Sequence, residues 1–380
     1  MSRSDRFATW TNGKAAMAEL HIERLWPQDL DSPSYRELIT AHFGAHVWAA
    51  HRQYYRWLFE QAPTRDPEQP LSVYVARDGG QLIGHRAIIA AQVVVDGQRL
   101  PATWGVDHFV SPAHQGRQVG TRLLDADRQT YAISLSLGQT KAGSGIAAKN
   151  GYRDVGALLR YTRLLRPLRS VAKRAMAKLG LGNTVQSLFE MPAQRGRRAS
   201  YDIAVAPVTS FADRINDRGD LRGARPSRAG ICRTPAFMQW RYFMNPLAHY
   251  EVRRCRLGSY GEGYAVWRVF DDALWRRGVL VDLVYPDGVP VAMLKHVVAV
   301  VEDDLRAAGA EIFQCQTSDV DLIQALDNPI LSRREPGVRF MFRINDEGVQ
   351  VPTTIDRWSL NLGDCDVETA SLRASQINAT

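Results

Sequence analysis

From Ser111 to Thr121 the chain runs Ser-Pro-Ala-His-Gln-Gly-Arg-Gln-Val-Gly-Thr, straight into a helical pattern with Leu123 and Leu124 on its apolar side. A loop that turns into a helix N-terminus points several unpaired N–H groups one way, and the helix dipole adds partial positive charge, so a pyrophosphate can be held there. Gly116 and Gly120 lack the Cβ that would block close approach, and Arg117 adds direct charge. Two glycines in a loop are weak by themselves, because an ordinary strand-to-helix turn carries them too. Just upstream, Asp107 and His108 are neighbours in a strand pattern. Successive strand side chains face opposite ways, so only one of the two can face a cleft and remove a proton there. Asp107 is the first choice. Its competing reading is a buried structural carboxylate, which Asp282 on the matching strand of the second half favours. His108 is the rival, titrating near neutral pH, although a lone histidine is more often a satisfied core or surface residue.

The elements that position these residues follow in a readable order. His21 to Trp26 reads as a short strand, and Ser34 to Glu60 as a helical pair with apolar spacing through Tyr35, Leu38, Phe43, Val47, Tyr54, Trp57 and Leu58. Leu71 to Ala76 and Gln81 to Val95 form a hairpin about Asp78-Gly79-Gly80, and Asp96-Gly97 turns the chain into a strand over about Ala102 to Val110. Beyond the loop and its helix, Ala132 to Leu137 reads as a buried strand. Ser144 to Asn150 reads as a short helix stopped by Gly151, and Tyr152 to Leu165 as a final extended hairpin.

The second half repeats this order. Trp57, Phe59 and Pro63 line up with Trp240, Tyr242 and Pro246; Gly105 to Pro112 lies over Val279 to Pro286; Gln139-Thr140 lies over Gln316-Thr317. Any two α/β segments share chance matches, but three in the same order point to two copies of one fold. In place of the loop the second half has Asp287-Gly288-Val289-Pro290-Val291, with an acid facing any phosphate, a proline lacking an N–H and no second glycine. That half is expected not to bind the anion. It would support the first and wall an acceptor pocket, with Trp240, Arg241 and Tyr264 lining it unless they are core.

The Gln115 to Gly120 segment resembles the acetyl-CoA loop of the GNAT acetyltransferase superfamily, which has Gln or Arg, two residues, Gly, one residue, then Gly or Ala. Gln115 and Gly120 fill the first and last places, and Gln118 stands where the family has its middle glycine. Val110-Ser111-Pro112 and Lys149-Asn150-Gly151-Tyr152 resemble the family's strand-four ending and late helix-Gly-aromatic segment, so the resemblance spans roughly residues 20–165. It implies an α/β (α+β) class with two tandem GNAT-like domains, residues 18–166 and a degenerate 201–345, joined by a 167–200 linker and followed by a 346–380 tail. Each domain would be a mixed, mostly antiparallel central sheet flanked by helices.

The resemblance also implies acetyl-CoA as acyl donor, gripped by Val110, Gln115, Gly116, Arg117, Gln118, Val119, Gly120 and Thr121. An amine or hydroxyl of a small molecule, sugar or peptide would attack the thioester directly, with Asp107 or His108 as base. The family's acid toward the leaving thiolate is a tyrosine of the late helix, and Ala147 stands there in this chain. A thiolate leaves without much help. Gln118 and Ala147 favour the alternative, a catalytically silent tandem module that binds a ligand or partner. Aminoacyl transfer from charged tRNA is a third reading, which the CoA-type loop argues against.

Length and composition set the frame. At 380 residues, 45% hydrophobic and 23% charged, the chain suits two soluble domains of roughly 150 residues. No apolar run approaches the roughly 20 residues that cross a bilayer, and Met1 to Lys14 lacks an apolar core, so a cytoplasmic protein is expected. Cys232, Cys255, Cys315 and Cys365 lack the paired short spacing of a zinc or redox site, so reduced thiols and no metal are expected. Residues 160–200 carry ten Arg or Lys against the single acid Glu190, more than the chain's net charge of +8. This excess sits in a connector rather than on a folded reading surface, so nucleic acid is not an expected partner. From Leu165 to Leu179 it forms a basic amphipathic pattern that packs across the domains or makes weak contact with an anionic membrane surface. Asp346 to Thr380 is polar and expected to wrap or trail, pinned only at Trp358-Ser359-Leu360.

Overall fold

The structure, a computed structural model, describes residues 20–166, 203–217, 219–222, 228–272, 274–328 and 332–368. The basic pattern from Leu168 to Leu179 lies outside the described residues, as do Met1 to Lys14 and the last part of the tail.

The first half opens with β1 (His21–Arg24) and α1 (Pro33–Phe43), whose first turn is closed by the Ser32 hydroxyl accepting from the Tyr35 amide. Gly44, at φ 96°, stops α1, and α2 (Trp48–Tyr55) runs into a π-helical turn over Arg56–Glu60. β2 (Val73–Asp78), β3 (Gln81–Val95) and β4 (Gln98–Val110) follow as antiparallel neighbours. β4 begins ahead of Ala102 because Asp96 (φ 47°) and Gly97 (φ 80°) both take the positive φ of a primed two-residue turn, which keeps the two strands paired to their ends. α3 (Val119–Asp125) leads to β5 (Ile133–Leu137), parallel to β4, and α4 (Lys141–Lys149) leads to β6 (Arg153–Leu164).

The segment expected as a hairpin, Tyr152 to Leu165, is instead the single strand β6. Both of its neighbours come from the second half, whose elements are β7 (Ile203–Val208), β8 (Ala229–Ile231), α5 (Pro235–Met238), β9 (Glu251–Leu257), β10 (Glu262–Asp271), β11 (Arg276–Val284), α6 (Val291–Ala307), β12 (Ile312–Thr317), α7 (Val320–Leu326), β13 (Arg333–Ile344) and β14 (Trp358–Ser359). The main path of the sheet is β1-β2-β3-β4-β5-β13-β6-β12-β11-β10-β9-β7. It reads alike from both ends. β4 and β5 are parallel across α3, β11 and β12 are parallel across α6, and every other pair on the path is antiparallel. β6 of the first half therefore sits against β12 of the second, and β13 of the second against β5 of the first.

Near the centre of this arrangement, α5 runs into a second π-helical turn over Gln239–Phe243. Trp57 and Trp240, one in each π turn, stack with centroids 5.0 Å apart, and each indole Nε1 donates to the other's carbonyl at 2.8 Å. Both rings are buried, so each bond satisfies a donor and an acceptor that water cannot reach. As far as Glu368, the tail packs into the molecule. From Trp358 to Asp366 nearly every residue is buried, and Glu368 is buried too. Its acids explain why, since Asp364 pairs with Arg233 and Glu368 with Arg241 and Arg268, charges that could not be left unpaired in the interior.

Candidate active site

Along β4 the register slips. His85 pairs with Phe109 and Ala87 with Val106, so Asp107 and His108 together face the single residue Arg86. This is a β-bulge, and Asp107 takes φ 45° within it. A non-glycine residue in that region carries strain of about 1–2 kcal/mol, so the surroundings must hold it. They do so from three elements. Tyr55, at the end of α2, donates its hydroxyl to Asp107 Oδ2 at 2.7 Å. His85 Nδ1, on β3, lies 2.7 Å from the Asp107 carbonyl, and the Tyr35 hydroxyl, on α1, lies 3.2 Å from His85 Nε2. A carbonyl only accepts, so the His85 proton is on Nδ1 and Tyr35 donates to Nε2.

Aromatic rings surround this carboxylate. His42, in the last turn of α1, stacks on Phe109 with centroids 3.7 Å apart and planes 3° apart, and meets Phe43 edge-on. His85 stacks on Phe109 at 5.1 Å, and His51 lies 3.9 Å from Tyr55. Partial burial lowers the His42 pKa, the Asp107 charge raises it, and the net is a value below the ordinary imidazole range.

His108 leaves the bulge toward the other face and does not join this group. A Cβ on Gly120 would sit 3.3 Å from His108 Nε2, so the imidazole lies under the first turn of α3. Burial, helped by the charge of Arg86, pushes its pKa down to about 3. Such a ring is neutral at physiological pH and a very weak base. Its Nδ1 is buried without a hydrogen-bond partner among the described residues.

On that same face lies the loop. Pro112–His114 form a single 3-10 turn, and Gly116 takes φ 78° with nothing within 4 Å of where its Cβ would be. Gln118 is the N-cap of α3 in the left-handed conformation, φ 62° and ψ 9°, and among the described residues no side chain caps the first amides of the helix. Those amides and the bare Gly116 backbone are what an anion would meet. The other loop side chains have duties of their own. Gln115 donates Nε2 to the Val110 carbonyl at 3.3 Å, and Arg117 is paired with Asp78 Oδ2 at 2.9 Å. Val119 is buried, packing with Tyr74, Ala76, Ile83, Ile88 and Leu123, while Val110 packs against the same cluster and Thr121 is half-buried. Gly120 differs from the sequence reading: its missing Cβ faces His108 and Val110, so glycine serves the packing of α3 on β4 rather than the approach of a phosphate.

The remaining candidates fall into the interior. Ala147 is buried and brings no hydroxyl, while the nearby Tyr152 hydroxyl is engaged by Arg86 at 3.3 Å in a buried group with Asp127. Trp240 is in the central pair, Arg241 bonds the Gly363 and Cys365 carbonyls, and Tyr264 lies in the second-half core. These three form core rather than a pocket wall. Asp282 is structural, with Arg233 at 2.8 Å, Tyr242 at 2.7 Å and Asn361 at 2.9 Å; burial resists its ionisation, but Arg233 and Arg222 hold its pKa below the ordinary carboxylate value. The second half repeats the bulge at Val281, opposite Val266 and Trp267, but puts no carboxylate on it. All four cysteines are buried free thiols, and among the described residues no cluster of His, Cys, Asp and Glu is arranged to hold a metal ion. No described helix is long and apolar enough to cross a membrane.

A bulged strand, a glycine-bearing turn and a short helix thus place the Gly116 to Val119 backbone on one face of the sheet and the Asp107 carboxylate on the other. Residues 29–152, which span these elements, match the family model of the acetyltransferase (GNAT) domain. This segment is a GNAT domain. No curated protein matches the chain by sequence. Among solved structures, the chain is similar to a GCN5-related N-acetyltransferase from Kribbella flavida, at 16% identity and TM-score 0.56 over 87% of this chain and 72% of that one. A GCN5-related N-acetyltransferase from Anabaena variabilis shares 13% identity with TM-score 0.60 over 86% and 73%. Saccharomyces cerevisiae N-myristoyltransferase with bound myristoyl-CoA shares 10% identity with TM-score 0.50 over 93% and 92%. At such identities the likeness is one of fold, and it extends well past the GNAT domain into the second half.

The sequence reading missed His42, His85 and Tyr55. The available signals were a histidine inside the apolar strand Leu82 to Ile89 and one closing an amphipathic helix, but only the topology brings them to one carboxylate.

Proposed function

We propose that the protein transfers an acetyl or other acyl group from acyl-CoA to an amine or hydroxyl acceptor by direct attack while both are bound. One observation carries this reading. β4 and β5 pair only from Ala102 to Trp104 with Ile133 to Leu135, and β4 then runs on to Val110 paired with β3 but parted from β5. The uncapped α3 turn and the Asp107 group lie on opposite faces of that stretch of β4. A donor held by its phosphates at Gly116 to Thr121 would present its thioester where the strands part, and an acceptor entering past α1 and α2 would meet it beside Asp107. The Gly116 backbone and the open amides fit a diphosphate, and Arg117 could turn from Asp78 toward it. We read the two halves as tandem GNAT-like domains, residues 18–166 and 201–345, with the second unable to bind CoA; the palindromic strand order, the two π turns and the matched bulges support this.

Calorimetry with CoA, paired with thiol release from acetyl-CoA against a panel of small amines, tests the proposal. The wild-type protein should bind CoA. Gly116→Val forces a β-branched residue to φ 78° and should weaken binding at least tenfold. Asp107→Asn should keep CoA binding and slow thiol release roughly 100-fold or more. An absence of heat from CoA with the wild-type protein would leave the silent binding module as the reading that stands.

A further inference from the structure

His42 meets four conditions that no other titratable group of the site meets together. It is solvent-exposed, so a substrate can reach it. It is fixed in place without a hydrogen bond, by the face-to-face stack on Phe109 and the edge contact with Phe43. Among the described residues neither ring nitrogen is engaged. And the charge acting on it is that of Asp107 from β4, with His85 of β3 the next titratable ring, across Phe109.

We propose that His42 is the general base of the acyl transfer and that Asp107 is its charge partner. This rests on the acyl-transfer reading above. Asp107 already accepts the Tyr55 hydroxyl on Oδ2 and is held by its own carbonyl through His85, the arrangement of a fixed charge rather than a mobile acceptor. A carboxylate is also ordinarily a weaker base than an imidazole, whereas a neutral imidazole near pH 7 is matched to proton removal. In the step itself, the amine nitrogen bonds to the thioester carbonyl carbon as a His42 ring nitrogen takes the amine proton. The tetrahedral adduct then expels sulfur with its electron pair as CoA thiolate. The imidazolium returns its proton to sulfur or to water, and Asp107 stabilises the imidazolium while it lasts. The products are the amide and CoA thiol.

The test uses the full chain, acetyl-CoA and 2-phenylethylamine, an amine suited to a ring-lined wall. His42→Ala should lower kcat roughly 100-fold or more while the KM for acetyl-CoA and CoA binding by calorimetry stay within about twofold. The wild-type rate should fall on the acid side of the ordinary imidazole midpoint, because burial holds the His42 pKa below it and a protonated ring cannot accept, and the Ala variant should lose that limb. Added imidazole should restore part of its rate. A variant with kcat within threefold of wild type and the same acid limb overturns the proposal, although CoA binding and the acyl-transfer reading would stand. Whether or not this amine is turned over, the His42 titration followed by NMR tests the pairing directly. Asp107→Asn should move its midpoint to lower pH, and an unmoved midpoint overturns the pairing.

Discussion

At the scale of single residues, adjacent positions on one strand received opposite tasks. Asp107 and His108 differ by one step along β4, yet the bulge sends one to a cleft ringed by aromatic side chains and the other beneath α3. The burial that removes His108 from chemistry gives it a thermodynamic signature. Its folded pKa, about 3, lies below the ordinary 6.5. As pH falls below 6.5 the unfolded chain takes up a proton that the folded protein refuses, so stability declines, at up to about 1.4 kcal/mol per pH unit, until the folded value is reached. Between pH 7.5 and pH 5 this amounts to about 2 kcal/mol. His108→Gln removes the titrating group, so urea midpoints at the two pH values should differ less in the variant than in the wild type. Equal losses in both proteins would show that His108 is solvated and titrates freely. Every other group is common to both proteins and cancels from the comparison.

At the scale of elements, the turn between β4 and α3 carries a residue that its conformation disfavours. Gln118 stands where the resembled loop has glycine and keeps the left-handed backbone, φ 62°, that glycine would adopt without strain. Gln118→Gly should therefore relieve about 1 kcal/mol of strain in the folded state, offset in part by the larger entropy of the unfolded chain. The expected outcome is a melting temperature equal to or above that of the wild type, together with tighter CoA binding by calorimetry. A lower melting temperature with weaker binding would mean that the Gln118 side chain itself holds the loop. This loop was legible in sequence because its signal is local, with Pro112, the glycines and the leucines of α3 all falling within a short stretch. The strands of the first hairpins and the helical pair were legible for the same reason. β6 was not, since an alternating segment looks the same whether its partner is the next stretch of chain or β12 and β13 far along it. The aromatic group around Asp107 was hidden likewise, because His42, Tyr55, His85 and Phe109 come from four elements and no spacing connects them.

At the scale of the whole molecule, the interleaving of β6 and β13 makes each half incomplete alone. β13 fills the place between β5 and β6, with pairs running from Phe340–Leu137 to Ile344–Ile133 on one side and from Arg333–Thr162 to Phe342–Arg153 on the other. Without the second half, the β5 edge loses that ladder, Trp57 loses its stacked partner and its acceptor, and the apolar cluster containing Trp104, Leu135 and Leu158 loses Phe340, Phe342 and Trp358. An open edge beside an uncovered apolar face favours association over a unique fold. Residues 18–166 expressed alone should therefore aggregate, or stay soluble without a cooperative melt, even though they contain the GNAT domain and its loop. Expressed together with residues 201–380 as a second chain, they should recover a 1:1 complex in size-exclusion chromatography and, with it, the heat of CoA binding. A soluble 18–166 fragment that melts cooperatively as a monomer and binds CoA as the full chain does would show that the second half is an appendage. Failure of the isolated half with recovery in the pair would place the integrity of the site in a strand more than 200 residues from the loop it supports.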